Sequence, residues 1–228
     1  MTSQGGSSPS PASSTILTGV IIAVASMFLF SATHTCVRFL ADTMTSPEIV
    51  FWRMLVSMTI LMPYFAWKGI HLLKTQRPGM HAMRAVVNFG GMIMWFYAIG
   101  VVPLGKAVAI HFTLPLFLIL LAVLFLGERV GIRRTCATAA GFCGTLVVLQ
   151  PGNLAVGWPE MMILGSAALY AGTVIFLKFM VKTETPLALT FYTNFFILLL
   201  SIPLTIWLWV PPTVDDILPI LFIGVTGT

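Results

Sequence analysis

Long apolar runs recur along almost the whole chain, and no other feature narrows its folding options as much. An α-helix rises about 1.5 Å per residue, so roughly 20 apolar residues cross the ~30 Å hydrocarbon core of a bilayer. Runs of that order occupy residues 16–40, 49–67, 85–102 and 107–126. A shorter one at 137–149 reaches back toward Ile132, longer ones follow at 158–179 and 187–210, and another starts near Ile217. A soluble chain of 228 residues has one or two cores to fill, and these runs recur too often for that. Charged residues are 8% of the chain, whereas soluble domains carry about 25%. The expected fold is an all-α, polytopic transmembrane helix bundle.

The net charge of +5 does not form a nucleic-acid-binding stripe, because the basic residues sit in short blocks between apolar runs. Lys68, Lys74, Arg77 and Arg84, then Arg129, Arg133 and Arg134, then Lys178 and Lys182 follow the even-numbered runs. Asp42, Glu48, Glu160, Asp215 and Asp216 lie at the other ends. Cytoplasmic loops hold the excess of Lys and Arg, so the amino terminus is expected in the cytoplasm. Residues 1–15, rich in Ser, Gly and Pro, read as a disordered cytoplasmic tail. Cys36, Cys136 and Cys143 form no C-x-x-C pair and have no His at ligand spacing, so no metal and no cofactor are expected.

Sliding the chain along itself by 140 residues pairs Arg38 with Lys178, Phe51 with Phe191, Trp52 with Tyr192, Pro63 with Pro203 and Trp67 with Trp207. That shift spans an odd number of helices, so the second copy lies upside down relative to the first. Inverted repeats of this kind mark secondary transporters. The expected organisation is a first five-helix unit over 16–150 and an incomplete second unit over 157–228, with the chain truncated at its carboxyl end.

Residues 102–152 carry a family resemblance in Pro103, Leu104 and Ala107, in the T-x-P-L step from Thr113 to Leu116, in G-E-R-V from Gly127 to Val130, and in the G-F-x-G-x-L-x-V-L-x-P-G ending from Gly141 to Gly152. The F-W-R of residues 51–53 fits as well. The chain resembles the EamA-type domain of the drug/metabolite transporter superfamily. The resemblance implies ten helices in two inverted five-helix units and transport of metabolites such as amino acids, their derivatives or vitamins. It covers the chain from Thr18 onward, more weakly after Trp158.

Ionisable groups inside a span are costly and face a cavity or a partner. His34 lies about 9 Å from the acidic end of the first helix at ~1.5 Å per residue. His111 enters the fourth helix, and Arg53 the second, to similar depths from the same side. Such a basic cluster suits a carboxylate or phosphate on a solute, with His protonation as a coupling site. The competing expectations are cross-helix hydrogen bonds for the histidines and an ion pair of Arg53 with Glu48 or Asp42. Arg38 and Lys106 are near enough to the interface to snorkel. The amides of Asn88 and Asn194 need partners within apolar spans, from solute or from helix.

Trp95, Tyr97, Tyr170 and Tyr192 offer cavity walls or interfacial anchors. Pro115 bends the fourth helix and releases a carbonyl. Glu128 is expected in a structural ion pair with Arg129 and Arg133. Gly165, Ala168 and Gly172, and separately Ala137, Gly141 and Gly144, read as packing ridges, and Gly90 and Gly91 as points that loosen the third helix.

These features point to a secondary carrier of small metabolites working by alternating access, in a bacterial inner membrane. Its partners are a small solute, anionic in the reading above, and lipid, with room for a homodimer and none for nucleic acid. A non-transporting fragment or subunit is the alternative. A membrane-embedded enzyme has less support, since H-E-x-x-H, G-x-S-x-G and a nucleotide-binding loop are all missing from the sequence.

Overall fold

The computed structural model describes residues 11–69, 73–128, 131–149 and 157–227, and the described residues form helices and no strand. The helices are α1 (Pro11–Leu40), α2 (Ser46–Lys68), α3 (Pro78–Val101), α4 (Leu104–His111), α5 (Leu114–Leu126), α6 (Ile132–Leu149), α7 (Trp158–Met180), α8 (Pro186–Trp207) and α9 (Val214–Thr226). Helix α1 starts at Pro11, inside the segment read as a tail, while residues 1–10 lie outside the described part.

Proline sets several starts. Pro47, Pro78, Pro159 and Pro186 occupy the first turns of α2, α3, α7 and α8, where a missing N–H costs nothing. Pro115 has a sharper effect. It has no N–H to give the carbonyl of His111, and the run expected as one bent helix is divided there into α4 and α5. The chain bridges the break with bonds from the Phe112 N–H to the Val108 carbonyl at 3.1 Å and from the Thr113 N–H to the Ile110 carbonyl at 3.0 Å. Gly127 ends α5 in the left-handed region, with φ 64°.

Among the described residues, six stretches are long and apolar enough to span a membrane: Thr18–Leu40, Ser46–Lys68, Pro78–Val101, Leu104–Leu126, Trp158–Met180 and Pro186–Trp207. Phe28 and Leu218 remain 75% and 79% exposed. Surfaces so apolar are stable only against lipid.

Helix α3 is central, packing on α7 and α8 and also touching α1, α2 and α4. Glycines make the closest approaches. A Cβ on Gly91 would meet the Leu169 Cβ at 3.4 Å, one on Gly172 would meet the Val87 Cγ1 at 3.4 Å, and one on Gly165 the Met94 Sδ at 3.1 Å. Gly90 and Gly91, expected to loosen α3, therefore form its seam with α7. The ridge on α6 behaves otherwise: a Cβ on Gly144 would meet nothing within 4 Å. With Ala137 and Gly141 it lines an apolar cavity of about 890 Å³ against Val108, Phe112 and Pro115 of the α4–α5 segment.

The turn after α1 and the turn after α7 repeat at the 140-residue offset. The Met44 N–H bonds the Leu40 carbonyl at 2.8 Å, as the Glu184 N–H bonds the Met180 carbonyl at 2.9 Å. Thr45 and Thr185 cap the next helices at φ/ψ of −77°/154° and −75°/150°. Helix α3 packs on α7 and α8, while α9 packs on α1 and α2. Exchanging α1–α3 for α7–α9 thus leaves these pairings unchanged.

Candidate functional site

Four helices bring a chain of rings together. The His34 ring on α1 sits edge-on to Phe30, with centroids 4.2 Å apart, and to Trp95 on α3 at 5.4 Å. Trp95 lies 4.4 Å from His111 on α4, tilted by 45°, and His111 lies 5.7 Å from Tyr170 on α7 in a T-shaped contact. The Trp95 Nε1–H donates to His34 Nδ1 at 3.2 Å. This bond orients the indole and also fixes chemistry on His34, since a neutral imidazole that accepts at Nδ1 holds its proton on Nε2.

Arg53 on α2 lies beside this group, against the end of α9, where the Thr226 hydroxyl is 2.9 Å from that of Thr33, the neighbour of His34. Its Nη1 lies 3.8 Å from the Met92 Sδ, and its guanidinium lies against the backbone of Gly227. The expected pairing with Glu48 does not form. Glu48 is fully buried and accepts from the Thr45 N–H at 2.9 Å, from the Thr45 hydroxyl at 2.8 Å and from the Val210 N–H. Asp42 is exposed and has no recorded bond to Arg53. Three buried nitrogens of the group, His34 Nε2, His111 Nε2 and Arg53 Nε, have no hydrogen-bond partner among the described residues. The buried hydroxyls of Thr113, at the α4–α5 break, and of Ser166, one turn from Tyr170, are in the same condition.

The remaining sequence candidates lie elsewhere. Tyr97 is 43% exposed on the outside of α3. Tyr192 belongs to a second polar group near the start of α3, its ring 4.7 Å from His81 and its hydroxyl donating to the Leu73 carbonyl at 2.8 Å. His81 and Trp95 are about 21 Å apart along α3 at ~1.5 Å per residue. Asn194 is buried on α8 with its Nδ2 lacking a partner among the described residues, Asn88 is half-buried on α3, and Pro115 lines the apolar cavity. That cavity shares no residue with the ring cluster.

The second group contains residues that sequence reasoning passed over. The fully buried His81 has its Nε2 3.6 Å from the Glu184 Oε2, and the Thr75 hydroxyl donates to the Glu184 Oε1 at 2.9 Å. Arg84, counted earlier as a loop charge, donates to the Thr193 hydroxyl at 2.6 Å. The usable signal was the T-x-T turn shared by residues 43–45 and 183–185, which places Glu184 opposite the apolar Met44.

The end charges are also engaged differently from expectation. Arg38 donates to the carbonyls of Ile99 and Val102 at 2.6 and 2.5 Å, closing the C-terminal end of α3. Lys106 pairs with Glu160 at 2.5 Å. The described partner of Glu128 is Lys178 on α7, at 3.0 Å, while Arg133 is exposed at the start of α6 and Arg129 lies outside the described residues.

A lipid-facing exterior around a buried polar ring cluster defines a polytopic helical membrane protein with an internal site. The model of the EamA-like transporter family matches residues 17–150, and the chain belongs to that family.

It is 32% identical over 200 residues to an S-adenosylmethionine uptake transporter of Rickettsia bellii, covering 87% of this chain and 68% of that one. A riboflavin transporter of Brucella anthropi is 29% identical over 82% of this chain and 65% of its own. A pseudopaline exporter of Pseudomonas aeruginosa is 28% identical over 92% and 74%. One solved crystal structure superposes with a TM-score of 0.60 at 16% identity, over 90% of this chain and 75% of that one, and so shares the fold.

Proposed function

We propose that this protein carries a small organic metabolite across a bacterial inner membrane without converting it chemically. The observation that carries the reading is the His34–Trp95–His111–Tyr170 cluster, buried by four helices and beside Arg53, with polar atoms that have no partner among the described residues. Such atoms are expensive in an apolar interior, and a transient solute would satisfy them. The relatives named above serve S-adenosylmethionine, riboflavin and pseudopaline, all small organic metabolites.

The carrier works by alternating access between two inverted units, one containing α1–α6 and the other α7–α9. The repeated turn geometry and the exchange of helix pairings support this division. So do two ties between the units, one at each face. The Thr43 hydroxyl donates to the Asp216 Oδ1 at 2.8 Å, linking the first unit's turn to α9. The Thr75 hydroxyl bonds Glu184, linking the start of α3 to the second unit's turn. A rocking carrier opens one tie at a time. Lys68, Lys74, Arg77 and Lys182 support a cytoplasmic position for the face of the second tie, and for the amino terminus with it.

Purified protein in liposomes tests the reading by counterflow of labelled S-adenosylmethionine and riboflavin. Flux of either is expected to exceed that of empty liposomes and to fall about tenfold or more when both histidines are replaced (His34→Ala with His111→Ala), because a buried polar contact is lost. Undiminished flux in that variant would remove the cluster from the pathway.

A further inference from the structure

The ring cluster, with Arg53 beside it, holds buried donors that have no acceptor among the described residues. We infer that its solute presents an oxyanion, a carboxylate or a phosphate, to Arg53 and the Nε2–H of His34, with an unsaturated ring against Trp95 and His111. This rests on the carrier reading and deepens it.

Arg53 brings a cation into the bundle on α2. A guanidinium stays protonated at any physiological pH, and a cation inside a bundle needs a counter-charge. Among the described residues, the acids that could supply one are engaged elsewhere: Glu48 with Thr45 and Val210, Glu160 with Lys106, Glu128 with Lys178, Glu184 with Thr75, and Asp216 with Thr43 and Thr213. Asp42 and Asp215 are exposed at the helix ends. Among the described residues, the Arg53 guanidinium has the Met92 sulfur as its only recorded hydrogen-bond acceptor.

Trp95 donates to Nδ1, so the free Nε2 of neutral His34 is a donor. Among the described residues, the His34 Nε2 and the Arg53 Nε therefore face no acceptor, and no carboxylate is bonded to the cluster to hold a cationic head group. Oxyanions satisfy forked donors in pairs. The tilted Trp95 and His111 rings provide the flat apolar surface that a conjugated body would lie against.

Binding of matched probes to the full chain in lipid nanodiscs, read by thermal shift and by quenching of tryptophan fluorescence, separates the two sources of oxyanion. The probes are indole-3-acetate against indole-3-acetamide and adenosine 5′-phosphate against adenosine. At least one acid is expected to bind about ten- to hundredfold more tightly than its neutral mate, the range for a charge-assisted hydrogen bond. Arg53→Gln removes that preference. Arg53→Lys keeps the charge without the fork and retains part of it, which guards against a Gln variant that fails to fold.

Equal binding of acid and neutral mate, no binding of any probe, or an intact preference in a folded Arg53→Gln variant would overturn the inference. Counterflow measured in parallel keeps it distinct from the carrier reading. Flux of a neutral solute that depends on both histidines would leave the carrier standing and remove the anion, whereas anion binding without flux would do the reverse.

Discussion

Replacing Thr75 by Val removes one hydroxyl and changes little else in volume, so it tests the tie between the units at the basic face. The Glu184 carboxylate that accepts from this hydroxyl is 3% exposed in its side chain, and the bond is therefore poorly screened. Hydrogen bonds to charged groups contribute about 1.5–3 kcal/mol. At 1.4 kcal/mol per tenfold, loss of this one raises the ratio of open to closed basic face by about 10- to 100-fold. The corresponding tie at the other face, Thr43 to Asp216, begins from an exposed threonine. Screening lowers its contribution to about 0.5–1.5 kcal/mol, so Thr43→Val opens that face only about two- to tenfold. A cysteine at position 88, midway between His81 and Trp95 on α3, reports both events once Cys36, Cys136 and Cys143 are replaced. Labelling by a membrane-impermeant maleimide is compared in intact cells and inverted vesicles. Thr75→Val should speed labelling from the basic face alone, and Thr43→Val from the acidic face alone. Unchanged rates, or equal rises from both faces, would refute the assignment of these bonds as alternating ties.

Four further outcomes follow from the packing. A methyl on Gly100 would lie 2.8 Å from the Ala41 Cβ, so Gly100→Ala should lower stability by about 1–3 kcal/mol through overpacking, and adding Ala41→Gly should restore it, as read by thermal unfolding in detergent. Restoring an N–H opposite the His111 carbonyl with Pro115→Ala should join α4 to α5, raise the melting temperature and slow flux; faster flux would count against a role for the break. Lys106→Ala leaves the mostly buried Glu160 carboxylate without its partner, whereas Lys106→Ala with Glu160→Gln removes that charge as well, so the double variant should unfold at the higher temperature. Ser57→Ala deletes the buried bond to the Gly224 carbonyl at 2.9 Å and should cost about 1–3 kcal/mol, seen in the same unfolding assay.

The lipid-facing lengths were legible because they depend on composition alone: a run long enough to cross a bilayer is visible without knowing its neighbours. The site was legible in part for a related reason. His34, Arg53 and His111 stand out as ionisable residues in apolar runs, and their shared depth from one face follows from helical rise. Which rings they meet was not legible, because Trp95 and Tyr97 differ by only two positions on α3. One faces His34 and His111 while the other is 43% exposed. A two-residue step turns a helix by about 200°, and an apolar span surrounded by lipid has no polar stripe to say which direction is inward.

The same ambiguity hid His81 and Arg84, which read as loop residues because Pro78 and the preceding basic residues look like a boundary. In the structure that boundary is the first turn of α3, and the turn holding Glu184 closes over it. Orientation charges and tie residues occupy the same few positions, since the face where the units meet is also the face where the loops are. Arg84 illustrates the consequence. Its charge counts toward orientation, its Nη1 bonds Thr193 on α8, and its Nε has no partner among the described residues. Arg84→Lys keeps the orientation charge and loses the directed bond, so it should preserve insertion while raising cysteine labelling from the basic face. If insertion and labelling both stay unchanged, the Arg84–Thr193 bond is not part of the closure.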